Sequence, residues 1–150
     1  MSQKIKILSY TSDYFDDWYA LMKKLFADYP TKDIKKALKR LERDGRYKVY
    51  LVEVKNQIIG TATFSIKSDY VEGASQSPTG YLNAIYVKKD FRKQNVAKKL
   101  VEKGEKWLLK KGCIEMGSDT WLWNKEAQKF HKNMGFKKKD VLVHYIKKIG

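Results

Sequence analysis

Arg92, Asn95 and Ala97 fall in the run Arg92-Lys93-Gln94-Asn95-Val96-Ala97, between a strand-like stretch at 81–87 and a long helical pattern. Where a short loop enters a helix, several backbone N–H groups have no intrahelical partner and point outward, and the helix dipole adds partial positive charge. Such a turn is a socket for an anion. It needs a residue that tolerates positive φ, and a small residue where chain and ligand come close. Asn95 and Ala97 meet those needs, although asparagine does so less well than glycine. Lys88, Lys89, Lys93, Lys98 and Lys99 surround the turn with positive charge. The implied chemistry is the binding of a phosphorylated cofactor. Basic loops between a strand and a helix are also common as plain solvated surface, and the turn by itself does not decide between the two.

The elements that would position this turn read along the chain as follows. Residues 4–10 alternate like a short strand. Ser12 or Asp13 can cap a helix that carries Trp18, Leu21, Met22 and Leu25 on one face, and Pro30 breaks it. Thr31 then caps a second helix with Ile34, Ala37, Leu38 and Leu41 inward, ended by Gly45. Strands at 48–55 and 58–67 form a hairpin turning at Asn56-Gln57. A loop at 68–80 holds Gly73, Pro78 and Gly80, and its length suggests function. After the strand at 81–87 come a helix at 96–111, a strand at 113–118, a helix at 125–134 and a last strand at 141–149. The order β-α-α-β-β-β-α-β-α-β implies an α/β single domain over residues 1–150, with a mixed sheet flanked by helices.

Composition sets bounds. The chain has 150 residues, 43% of them hydrophobic, enough for a real core. No apolar run reaches bilayer-spanning length, and nothing at the amino end resembles a secretion signal. The single cysteine, Cys113, excludes an internal disulfide, fits a cytoplasmic home, and reads as an inert core thiol. One cysteine and two histidines give no metal-ligand spacing. The net charge of +15, from 32 basic against 17 acidic residues, would suit nucleic acid, an anionic membrane surface or an anionic small molecule. The lysines are spread along the chain, so solubility alone explains most of them.

The loop at Arg92 resembles the Arg/Gln-x-x-Gly-x-Gly/Ala pattern of the GNAT superfamily of acyl-CoA-dependent N-acetyltransferases. A second stretch, Asn124-Lys-Glu-Ala127-Gln-Lys-Phe130-His131-Lys-Asn-Met-Gly135-Phe136, is similar to that superfamily's Asn-x-x-Ala-x-x-Phe-Tyr-x-x-x-Gly-Phe, with His131 in place of tyrosine. Within the superfamily the chain looks like the aminoglycoside 6′-N-acetyltransferases, most strongly from Ser68 onward. The resemblance implies acetyl-CoA as cosubstrate and no metal. By motif position it gives Ile85, Tyr86 and Val87 to the pantetheine arm, and Arg92, Lys93, Gln94, Asn95, Val96, Ala97 and Lys98 to the pyrophosphate. It gives Asn124 to the cofactor as well. Phe26, Tyr29, Tyr70, Asn83, Asp119 and Asp140 fall where the group binds its drug, and the group suggests a homodimer. Asn83 stands where that group carries glutamate, and Asn95 where the loop has glycine.

On this reading Asp119, closing the strand at 113–118, is the candidate base that takes a proton from the substrate amine. A free N–H on the strand at 84–87 would stabilise the oxyanion. His131 would protonate the leaving thiolate, and a helix-face histidine bonded to backbone is the equally weighted alternative. Asp28, Asp69, Glu72, Asp119 and Asp140 are expected to build an acidic patch for a polycation. Trp121 and Trp123 are expected to cover the edge of the core. Acetylation of an aminoglycoside leads. Acetylation of another amine (a polyamine, a metabolite or a protein amine) follows, kept open by Asn83. A nucleic-acid-binding module stands last, because no known binding motif supports it.

Overall fold

The computed structural model describes residues 4–150. Its elements are β1 (Lys6–Ser9), α1 (Phe15–Leu25), α2 (Thr31–Leu41), β2 (Tyr47–Val54), β3 (Gln57–Lys67), β4 (Thr79–Val87), α3 (Val96–Lys110), β5 (Met116–Ser118) and α4 (Lys125–Asn133). The strands form one sheet in the order β1-β2-β3-β4-β5. The first four are antiparallel, and β5 lies parallel to β4. The mixed sheet with flanking helices is the architecture expected from the order of elements.

The near-continuous apolar run of β2 follows from burial on both faces. Its residues alternate between two cores, as strand geometry requires. Val49 and Leu51 pack with Trp18, Leu21, Met22, Ile34 and Leu38 of α1 and α2. Tyr50, Val52 and Val54 pack with Phe64, Leu82 and, from α3, Leu100 and Leu108. Burying one such side chain stabilises the fold by about 1.5–3 kcal/mol. α3 presses closely on β3, because a Cβ at Gly104 would run into the ring of Phe64. The β2–β3 hairpin turns at Lys55 and Asn56, one residue earlier than expected, with φ of 48° and 63°. Two consecutive left-handed residues give a turn whose twist matches that of the strands.

Three expectations are corrected. The strand expected at 113–118 is limited to Met116–Ser118, and the residues before it run as a loop. The strand expected at 141–149 does not form: residues 137–150 hold no regular structure and are exposed. A strand needs a neighbouring edge for its N–H and C=O groups, and this segment pairs with no strand among the described residues. Trp121 and Trp123 are 64% and 73% exposed and do not cover the core. Cys113 is buried, and burial pushes its thiol pKa upward, as an inert core cysteine requires. No helix among the described residues is long and apolar enough to cross a membrane.

Candidate active site

The sheet opens where β4 and β5 part. β5 pairs with β4 from Gly80 to Leu82 only, the last rung joining Leu82 to Ser118. On the other side of β4, Phe64 lies opposite Leu82 and Thr63 opposite Ala84, so Asn83 is skipped. This is a β-bulge, which bends the strand and re-aims its side chains and amides. β4 then continues to Val87 without a neighbour on the β5 side. Asn83, Ala84, Ile85, Tyr86 and Val87 therefore form a bare strand edge, the kind of surface that receives an extended chain by main-chain hydrogen bonds.

That edge runs into the basic turn. Lys93 and Asn95 both take φ of 63°, so the left-handed demand expected at Asn95 is met there and repeated at Lys93. Asn95 precedes α3 without its side chain accepting a capping bond, and the first intrahelical bond is Lys99 N–H to Asn95 O at 3.1 Å. The amides of Val96, Ala97 and Lys98 thus begin the helix with no side-chain acceptor. No acid lies in the first turn, although acids are what the dipole favours there. Positive charge in that place is unfavourable until an anion arrives. Arg92 has a second task. Its Nε donates to Val87 O at 2.7 Å and its guanidinium carbon lies 5.4 Å from the Tyr86 ring centroid, which ties the turn to the end of β4.

At the other wall, Asp119 follows β5 and is exposed, and its Oδ2 accepts a hydrogen bond from the Tyr81 hydroxyl. Burial first, then the hydrogen bond and charge of Asp119, then the charge of Glu72, push the Tyr81 phenol well above its ordinary range. Tyr81 therefore stays protonated and is a permanent donor, fixing one carboxylate oxygen and leaving the other for a substrate. The Lys67 ammonium lies 4.0 Å from the centroid of the same ring. The expected patch of five acids is only partly assembled. Glu72 and Asp119 both act on Tyr81, whereas Asp69 acts on Arg46, to which Asp44 is already paired. Asp28 lies exposed after α1, and Asp140 lies exposed beyond α4.

His131 is held at both nitrogens, with 2.7 Å from Nδ1 to Ala127 O and 2.7 Å from Nε2 to Ser118 Oγ. A carbonyl only accepts, so Nδ1 carries a proton and the neutral ring's Nε2 accepts from the Ser118 hydroxyl. When the ring is protonated, Nε2–H donates to Oγ instead, and the serine proton turns to Leu82 O, 3.1 Å away. Both states are fully bonded, so a proton can pass along this chain without leaving a group unsatisfied. Ser118, at the last rung of the ladder, stands between His131 and the opening. Asn124 caps α4, its Oδ1 accepting from Ala127 N–H at 3.0 Å. Its amide nitrogen is left free to donate to a ligand.

The remaining expected residues make no contact with Asp119, His131 or the Arg92 turn among the hydrogen bonds and ring contacts of the described residues. Tyr70 is 79% exposed in the loop before β4, and Phe26 and Tyr29 meet edge to face after α1. The Tyr70 loop is pinned by Glu115, which accepts from both Ser75 N–H and Ser75 Oγ at 2.7 Å. These bonds depress the Glu115 pKa. A carboxylate depressed by folding holds its partners above its unfolded pKa and loses that hold as pH falls through the folded value. Glu115→Ala is expected to raise the amine substrate's KM a few-fold at neutral pH with kcat little changed. In the unaltered chain the same rise is expected only on acidification, and a steady-state pH series on both proteins checks it.

Tyr81, Ser118 and Glu115 were not picked out from the sequence. Each acts through a partner at a distance along the chain, 38 residues between Tyr81 and Asp119 and 40 between Ser75 and Glu115. Only Ser118 carried a local hint, as the neighbour of Asp119 at a strand end. Among the described residues no cluster of His, Cys, Asp or Glu could hold a metal ion.

Comparison with known proteins adds to this geometry. The profile of the Acetyltransferase (GNAT) family matches residues 9–136. An aminoglycoside N(6')-acetyltransferase type 1 of Acinetobacter genomosp. 13 is 30% identical over 97% of this chain and 100% of its own. One from Salmonella typhimurium is 32% identical over 90% and 93%. Among solved structures, the aminoglycoside N-acetyltransferase AAC(6')-Iy in complex with CoA superposes with a TM-score of 0.92 at 29% identity, covering 99% of this chain and 98% of that one. The same enzyme with the bisubstrate analog CoA-S-monomethyl-acetylneamine gives 0.91 at 29% identity, over 97% and 99%.

Proposed function

The chain belongs to the acetyltransferase (GNAT) family, and from that premise we propose that it moves the acetyl group of acetyl-CoA to the 6′-amino group of aminoglycosides. The observation that carries the reading is the continuous path from the bare edge of bulged β4 to the uncapped, acid-free start of α3. An extended amide-bearing arm suits the first part and a pyrophosphate the second. Acetyl-CoA supplies an activated thioester; the chain's own residues do the rest.

Ile85, Tyr86 and Val87 hold the arm through main-chain bonds, and Arg92 to Lys98 hold the phosphates. Asp119 accepts a proton from the substrate amine, its free oxygen aimed by the Tyr81 bond. The nitrogen then bonds to the carbonyl carbon while an N–H of the bulged strand steadies the negative oxygen. As the carbon–sulfur bond breaks, the nitrogen releases its second proton to solvent, and Ser118 gives its own proton to the thiolate and takes one from Nε2–H of the protonated His131 ring. Both reactants are held at once, so no covalent enzyme intermediate is needed. Phe26, Tyr29, Tyr70, Asn83, Glu72 and Asp140 contact the drug. The enzyme works in the cytoplasm as a homodimer.

A second reading, transfer to another amine, is favoured by one observation: the bulge presents the uncharged Asn83. The nucleic-acid reading has only the net charge behind it. Thiol release from acetyl-CoA, measured over a panel of aminoglycosides, polyamines and amino-terminal peptides, separates them. Aminoglycosides bearing a 6′-amine are expected to respond and 6′-hydroxyl analogues to give background. A response confined to the other amines would overturn the drug assignment. In the same assay Arg92→Ala is expected to raise the acetyl-CoA KM about ten-fold, the loss of a charge-assisted phosphate contact worth about 1.4 kcal/mol.

A further inference from the structure

We propose that Trp121 and Trp123 form a carbohydrate platform beside the acceptor site: their indole faces take the ammonium-bearing sugar rings of the drug that lie beyond the ring being acetylated. The proposal rests on the aminoglycoside reading above and deepens it by saying where the rest of the substrate sits.

Of the four tryptophans, Trp18 is fully buried and Trp107 packs partly buried against the core under α3, as so large an apolar side chain usually does. Trp121 and Trp123 do the opposite, and Leu122 between them is exposed as well. Three consecutive large apolar residues in solvent mark a contact surface for something outside the chain. Their presentation is fixed by the backbone. The Trp121 carbonyl accepts from Asn124 N–H at 2.9 Å, the Trp123 carbonyl from Lys125 N–H at 3.0 Å, and the Leu122 carbonyl from the Gln128 side-chain amide at 2.7 Å. All three carbonyls of the turn are thus tied to the start of α4, which Asn124 itself caps. A turn held in this way loses little freedom when a ligand settles on it.

The position of the turn selects the occupant. Trp121 follows Asp119 by two residues and Trp123 by four. Those separations span at most about 7 Å and about 14 Å of chain. Sugar rings joined to the one that carries the reacting amine fall within that reach. Such a ring offers a face of C–H groups, and in an aminoglycoside it also carries ammonium groups. An indole face accepts both, and tryptophan is the strongest of the aromatic side chains toward a cation. The need for such a contact follows from charge. At +15 the chain repels a polycation at long range, and Asn83 brings no carboxylate to the cleft. Two indoles restore attraction at contact distance without adding a carboxylate.

Tryptophan emission of the enzyme loaded with CoA, which has no acetyl group to transfer, reads the platform directly. Addition of a three-ring aminoglycoside bearing a 6′-amine is expected to shift the emission to the blue, and Trp121→Ala and Trp123→Ala are each expected to reduce that shift. In thiol release from acetyl-CoA, each variant is expected to raise KM for the three-ring drug about two- to five-fold, and by less for a two-ring one. Trp121→Phe and Trp123→Phe are expected to recover most of the loss. A KM indifferent to both indoles, or raised equally for both acceptors, overturns the platform while leaving acetyl transfer to the drug standing. An emission shift produced by CoA alone assigns the indoles to the cofactor, and one produced by raising the protein concentration alone assigns them to a second copy; either overturns the platform. If no 6′-amino drug reacts with the unaltered chain, the reading beneath the proposal falls. The emission titration of that chain then still decides whether the drug meets the indoles, and it does so too should a variant fail to fold.

Discussion

Asp119→Asn is expected to lower kcat for the preferred amine about 10²–10³-fold, within the range that general-base catalysis contributes, while acetyl-CoA affinity stays near that of the unaltered chain. Asparagine still accepts a hydrogen bond from Tyr81, so the local geometry survives and only the proton acceptor is lost. The rate of the variant should climb with pH, because the free-amine fraction of the substrate then replaces the missing base. Pre-steady-state acetyl transfer alongside calorimetric titration of acetyl-CoA measures both halves. Undiminished turnover would remove Asp119 from the chemistry. Tyr81→Phe offers the graded comparison: the carboxylate remains but is no longer aimed, and a smaller loss in kcat is expected.

The second large effect concerns the fold that carries the site. Gly104→Ala improves helix propensity by about 1 kcal/mol in the interior of a helix. The added methyl, however, points into the Phe64 ring, which is fully buried between α3 and the sheet. Neither ring nor strand can yield without opening the core shared by Leu100 and Leu108. Overpacking of this kind costs about 1–3 kcal/mol and occasionally more; with a backbone-close contact to a ring, the larger figure should prevail over propensity. A net loss of about 2 kcal/mol lowers Tm by roughly 4–8 °C in a domain of this size. Calorimetry that shows an unchanged or raised Tm would mean that α3 is free to slide. If α3 is displaced, its amino-terminal turn moves off the end of β4, so acetyl-CoA binding should weaken together with stability.

What could be read from the sequence, and what could not, divides by the range of the interaction. The helix faces of Trp18, Leu21 and Met22 and of Ile34 and Leu38 were legible because helical spacing is local. So was the left-handed residue at Asn95, a demand that one turn makes on one position. The bulge at Asn83 was not, since it exists only in the register between β3 and β4. The Tyr81–Asp119 pair and the Ser118–His131 pair share this limit: the sequence names each member, but only the topology brings them together. The segment at 141–149 shows the converse. Its residues carry a strand's pattern, yet a pattern states a preference for pairing without naming the neighbour, and none of the strands among the described residues pairs with it.

The lysine-rich beginning of α3, lacking any acidic counterweight, has a consequence for how the protein lasts. Until phosphate oxygens settle there, like charges and a positive helix end face one another. The empty enzyme should therefore be the more fragile form: quicker to be digested by protease and lower-melting than the loaded one, by RT ln(1 + [L]/Kd). About 2.7 kcal/mol separates the two at a ligand concentration one hundred times Kd. The supply of acetyl donor would thus govern the survival of the catalyst as well as the speed at which it works.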